Sequence, residues 1–103
     1  MRVGAIAAIL LGTLVTTAAI ADGASLFKER TCWSCHGKDG KHPLLPDYPK
    51  IAGQSAAYAE RQMNDIKSGA RNSGNSAAMK GVMEIVTDED IKLLAQYVSS
   101  LDP

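Results

Sequence analysis

Five consecutive residues, Cys32-Trp33-Ser34-Cys35-His36, carry the chemistry of this chain. They read C-x-x-C-H, the spacing that attaches haem through two thioethers. Haem has vinyl groups on two neighbouring pyrroles, and thiols separated by two residues reach one each. The next residue, His36, then supplies an imidazole to the iron as proximal ligand. Two other uses of these side chains fit less well. A redox dithiol belongs with a βαβ pattern, which the sequence lacks. Cys32, Cys35, His36 and His42 would give a zinc ion four donors. However, His36 adjoins Cys35, whereas zinc sites draw their second pair from a separate element. Both cysteines of the chain lie in the motif, so none is left for a disulfide.

The elements that must position this motif are helices. Asp22-Gly23 can open a short helix through Ala24, Leu26, Phe27 and Arg30 that leads directly into it, with Leu26 and Phe27 facing inward. Gly37, Gly40, Pro43, Pro46, Pro49 and Gly53 then forbid a continuous helix and predict a loop from Gly37 to Gln54. Ser55 to Ser68 fits a helix, with Ser55 as N-cap and Gly69 just past its end. Its inward stripe is Tyr58, Ala59, Gln62, Met63 and Ile66. Arg71 to Ser76 reads as a polar loop, followed by a short helical stretch through Met79, Val82, Met83 and Val86. Thr87 caps the last helix. Asp88, Glu89 and Asp90 put negative charge on its first turn, and Thr87 with Asp90 approximates a capping box. Ile91, Leu94, Ala95, Val98 and Leu101 form its apolar stripe. The fold class is all-α. There are no convincing strands and no repeats, so one motif implies one haem.

The N-terminus points to export. Met1-Arg2 is a short positive start, Val3 to Ala19 is uncharged, and Ala19-Ile20-Ala21 is a small-residue cleavage signature. Residues 1–21 read as a signal peptide cleaved after Ala21, leaving one domain over residues 22–103. Gly4, Gly12, Thr13, Thr16 and Thr17 dilute the apolar stretch and argue against a retained membrane anchor. The 103-residue chain has eleven Lys and Arg against eleven Asp and Glu. Such a balance gives no basic stripe for nucleic acid and argues against strong steering to one highly charged partner. A domain this small builds a thin core, and a covalently held haem would act as its staple.

The iron needs a sixth ligand. A methionine thioether favours ferrous iron and raises the potential relative to a second histidine. Met63 lies mid-helix and reads as core filler. Met79 and Met83 are four residues apart and can share one helix face. Met79 directly follows the Asn72–Ser76 loop, which modestly favours it, and Met83 stays open. His42 would have to cross from the proximal loop to the other haem face, so it reads as a solvent-facing histidine.

The chain resembles the small class I cytochromes c, in particular cytochrome c4 and bacterial cytochrome c553. The matching pieces run in order over nearly all of residues 22–103. They are Cys35-His36-Gly37-x-Asp39-Gly40 and Pro46-Asp47-Tyr48-Pro49-Lys50-Ile51-Ala52-Gly53-Gln54. Tyr58, Gln62-Met63, Gly69-x-Arg71, Met79-x-x-Met83 and Thr87-Asp88-x-Asp90-Ile91 with Leu94-Ala95-x-Tyr97 follow. The resemblance implies a small cytochrome c fold, three to five helices around one covalent haem c. It places the axial methionine eight residues before the cap of the last helix, at Met79. It assigns the carbonyl that holds the proximal histidine to Pro46, with Pro43 or Leu44 as alternatives in a slightly longer loop. It offers Tyr48, Gln54, Tyr58 and Arg71 for closing the haem crevice or holding propionates. Leu94 and Tyr97 would meet Gly23 and Phe27 where the terminal helices cross. Trp33 would border the exposed haem edge, packing on the rim or helping a partner to dock.

The function implied is electron transfer by a periplasmic carrier, not an enzyme. With His36 and Met79 both bound, no iron position stays open for a substrate. Partners would be redox proteins docking through a small, weak interface, with no nucleic acid and no membrane insertion after cleavage. A monomer is expected. The alternative is a cytochrome subunit of a larger oxidoreductase, such as a sulfide-oxidising flavocytochrome.

Overall fold

The computed structural model describes residues 16–103, so the larger part of the expected signal peptide lies outside the described residues. Five helices follow in order: α1 Thr17–Glu29, α2 Trp33–His36, α3 Ala56–Ser68, α4 Ser76–Met83 and α5 Asp88–Ser100. Among the described residues there is no strand, and no helix is long and apolar enough to cross a membrane.

Helix α1 starts five residues before the expected Asp22. The Thr16 hydroxyl caps it by accepting from the Ala19 N–H at 3.0 Å. Ala18, Ala19 and Ala21 then favour helix strongly. The last five residues of the segment that composition marks as a leader, 17–21, therefore belong to the first helix. The expected cleavage point after Ala21 falls inside α1.

The end of α1 is built as a Schellman turn. Thr31 N–H donates to the Lys28 carbonyl at 3.1 Å, and Cys32 N–H to the Phe27 carbonyl at 3.0 Å. Such a turn needs a left-handed residue, a place usually taken by glycine. Here it is Thr31, at φ 60°. A β-branched side chain pays about 1–2 kcal/mol for that conformation. The tight reversal delivers Cys32 straight into the single turn of α2.

Helices α1 and α5 cross at Gly23. A Cβ there would lie 2.5 Å from both the Leu93 carbonyl oxygen and Tyr97 Cβ, so only glycine permits this approach. One α1 turn later, the Phe27 ring tilts against Tyr97 with centroids 5.4 Å apart. The expected crossing is thus present. Arg30 and Asp90 add an ion pair at 3.3 Å between α1 and the start of α5. The core gathers Phe27, Ile66, Met83, Val86, Ile91 and Leu94, with Val98 beneath them.

Helix α5 begins with a complete capping box. Thr87 Oγ1 accepts from the Asp90 N–H, and Asp90 Oδ2 accepts from the Thr87 N–H. Helix α3 has the expected Ser55 cap and ends on Gly69 at φ 89°. Its inward stripe needs correction at one end. Ile66 is fully buried, Ala59, Gln62 and Met63 are half-buried, and Tyr58 is 47 % exposed. That stripe faces a cavity more than it faces the core. Helix α4 stops at Met83, and Val86 lies buried in the turn beyond it. The Lys67 ammonium donates to the Val86 carbonyl, and Lys80 donates to the Lys67 carbonyl at 3.3 Å. These two lysines fasten α4 to α3.

Candidate functional site: a haem crevice

A cavity of about 410 Å³ opens between α2, the loop after it, α3 and α4. This is within the usual range for a bound small molecule. Cys32, Cys35 and His36 all line it, so the two thiols and the imidazole of the motif face one space. Gly37 makes that placement possible. At φ 88° it turns the chain back so sharply that a Cβ would lie 2.2 Å from the His42 carbonyl oxygen. The returning strand of loop lets Leu44 N–H donate to the Cys35 carbonyl at 3.0 Å.

His36 is buried, and its Nδ1 lies 2.9 Å from the Pro49 carbonyl oxygen. A carbonyl can only accept, so Nδ1 carries the proton. Nε2 is left with its lone pair free, the tautomer a metal-binding imidazole requires. The partner is therefore Pro49 and not the expected Pro46, nor Pro43 or Leu44. Pro46 is exposed and does not line the cavity.

Tyr48, Gln54, Tyr58 and Arg71 all border the cavity. The Arg71 guanidinium donates to Gln62 Oε1 at 2.9 Å. Its own backbone N–H is held by the Asp65 carbonyl at 3.0 Å. Three methionines, Met63, Met79 and Met83, share the wall. Met83 is fixed in the core at 2 % exposure, whereas Met79 and Met63 are half-buried and pack against that core.

The remaining donors do not converge on the thiols. His42 is exposed and its Nδ1 is 2.6 Å from Asp39 Oδ2. Asp39 Oδ1 also accepts from the backbone N–H groups of Lys41 and His42, at 3.0 and 3.1 Å. These bonds, with Lys41 N–H foremost, hold the Asp39 carboxyl down at about 2. His42 thus closes a surface turn and is no fourth ligand of a cysteine-based zinc site. Burial, the largest influence, pushes the Cys32 thiol up to about 11. A reactive dithiol depends instead on a lowered thiol pKa. Among the described residues no group of three or more His, Cys, Asp or Glu side chains is placed to hold a metal ion. The donor set fits haem: two cysteine sulfurs and a pre-set imidazole on one wall, with thioether side chains around a largely apolar space.

Trp33 lies on the other side of α2 from this crevice. It does not line this cavity. Its indole N–H donates to the Lys28 carbonyl at 3.3 Å, and the ring borders a separate groove with Tyr97. Sequence reasoning also missed Thr31, which lines both spaces. Its signal was the absence of a glycine between the first helix and Cys32.

The comparisons agree with this geometry. The family model described as "Cytochrome c" matches residues 20–102. The chain is 44 % identical over 70 residues to cytochrome c-554(548) of Halomonas halodenitrificans, covering 68 % of this chain and 83 % of that one. It is 40 % identical over 73 residues to cytochrome c4 of Pseudomonas aeruginosa, covering 71 % of this chain and 34 % of that one. Among solved structures it is similar to reduced recombinant cytochrome c4 from Pseudomonas stutzeri, with a TM-score of 0.74 and 32 % identity. That match covers 84 % of this chain and 50 % of the other. The chain thus spans only a third to a half of the cytochromes c4 it matches. An all-helical fold, a C-x-x-C-H motif lining one apolar crevice and a family match over most of the chain establish that this protein belongs to the cytochrome c family and carries covalent haem c.

Proposed function

We propose that the protein is a single-haem electron carrier of the bacterial periplasm, with His36 and Met79 as axial ligands. Haem held in the crevice supplies an iron that passes between ferric and ferrous states. The chain's residues do the rest. Cys32 and Cys35 tether the macrocycle. His36 offers Nε2, with its ring orientation fixed by the Pro49 carbonyl. That 2.9 Å contact carries the reading, because it commits one nitrogen and frees the other.

Met79 is the thioether best suited to ligation. It sits on the cavity wall half-buried, on the first turn of α4, and the Met79 N–H is held by the Asn75 carbonyl at 3.3 Å. Met83 packs deep among Phe27, Ile66 and Leu94, where withdrawing it would open the core. Tyr48, Gln54, Tyr58 and the Arg71–Gln62 pair would close the crevice and receive the propionates. With both axial positions filled, no coordination site remains for a substrate, which suits a carrier and not an oxidase. Export would proceed by cleavage after Ala21. The shortened α1 would still contain Gly23 and Phe27, the residues that grip α5.

The test is the sulfur-to-iron charge-transfer band of the ferric holoprotein. Met79→Ala is expected to abolish it and lower the reduction potential, while Met83→Ala keeps it at reduced stability. Loss of the band in Met83→Ala and its survival in Met79→Ala reverses the assignment.

A further inference from the structure

We propose that the groove between α1, α2 and the end of α5 is a docking face for an acidic surface of a redox partner, separate from the mouth of the haem crevice. The inference rests on the carrier reading above. Its floor and walls are Trp33, Tyr97, Phe27 and Ala24, and its rim carries Lys28 and Lys38.

Three observations carry it. The first is an exposed aromatic held in place. Trp33 is 40 % exposed, yet its indole is tied to the Lys28 carbonyl and so loses little freedom when a partner covers it. Large aromatics that are rigid and half-exposed are favoured anchors of protein interfaces. The second is charge. The whole chain balances eleven basic against eleven acidic side chains, but the groove has two lysines and no carboxylate. Overall neutrality, which argues against long-range steering, leaves a local positive rim that fits carboxylates. The third is position. Phe27 and Thr31 line both the groove and the haem crevice. One layer of side chains therefore separates a partner seated on Trp33 from the crevice. Thr31 holds its place in that wall in a left-handed conformation that glycine would adopt without strain.

The chain has one tryptophan, so its indole N–H gives one identifiable nuclear magnetic resonance signal. Reduced holoprotein would be titrated with poly-L-glutamate and, separately, with poly-L-lysine. The expected result is a saturable shift of the indole signal with poly-L-glutamate alone, abolished by high salt. The Lys28→Gln, Lys38→Gln double variant should bind roughly five-fold more weakly. Three results overturn the proposal. One is an unmoved indole while Tyr58 and Arg71 signals shift, which places acidic partners at the crevice mouth. Another is an equal response from the double variant. The last is a shift on concentrating the protein alone, which assigns the groove to a second copy. The haem spectrum and reduction by ascorbate, recorded on the same samples, report on the carrier reading independently.

Discussion

Alanine at Gly23 and alanine at Gly81 should move stability in opposite directions. Both glycines lie inside helices, α1 and α4, at negative φ. The intrinsic gain from adding a methyl group is therefore the same, about 1 kcal/mol. The surroundings differ. Around Gly81 nothing lies within 4 Å of the added Cβ, so the full gain is realised. At Gly23 the new carbon would lie 2.5 Å from Leu93 O and Tyr97 Cβ, roughly 1 Å closer than optimal contact. Neither obstacle is the tip of a flexible side chain, so no rotamer change relieves it. The helices must part instead, and a gap of about 1 Å forfeits up to half the dispersion energy of the contacts it opens. Overpacking of this kind costs about 1–3 kcal/mol or more. With backbone as the obstacle the upper end applies, leaving a net loss of about 2 kcal/mol. For a domain of this size each kcal/mol moves Tm by about 4–8 °C. Holoprotein unfolding followed by circular dichroism should show Gly23→Ala melting about 8–16 °C lower and Gly81→Ala about 4–8 °C higher. A Gly23→Ala protein as stable as the parent would refute the close crossing, and a destabilised Gly81→Ala would refute the open surface.

Further expectations follow from single contacts. Thr31→Gly should raise stability by about 1 kcal/mol in denaturant titration, because relief of the left-handed strain exceeds the entropy glycine adds to the unfolded chain. Thr87→Ala should cost about 1 kcal/mol by loss of the α5 cap, measured the same way. Asp39 has a folded pKa of about 2, below its ordinary 3.8. Its contribution is therefore present in full above the ordinary value and is lost as pH falls from there through about 2. In Asp39→Asn, the slope of stability against pH across that window should flatten, and an unchanged slope would remove Asp39 as the clamp of the 39–42 turn.

The haem motif, the fold class and the caps of α3 and α5 were legible because each rests on local spacing. C-x-x-C-H constrains five neighbouring atoms sets, and the capping box closes within four residues. The carbonyl against His36 was not, because three loop prolines, Pro43, Pro46 and Pro49, offer chemically equal oxygens. Only the path of the folded loop, reversed at Gly37, selects Pro49. The start of α1 was hidden because an alanine-rich leader and an alanine-rich first turn have the same composition. The Schellman turn was missed because threonine stands where pattern reading looks for glycine. The surroundings of Trp33 were hidden for a different reason. The α2 turn presents its side chains to two sides, and Tyr97, sixty-four residues away, decides which side forms a groove. Tyr58 kept its helical register but fell on the cavity rim, where periodicity cannot distinguish a cavity wall from core.

Exposure of the dithionite-reduced holoprotein to carbon monoxide at neutral pH tests the closed, two-ligand carrier most directly. The expected result is a spectrum that does not change, because in the proposed reading His36 and Met79 fill both axial positions. A carbon monoxide spectrum appearing promptly in the native protein would contradict it.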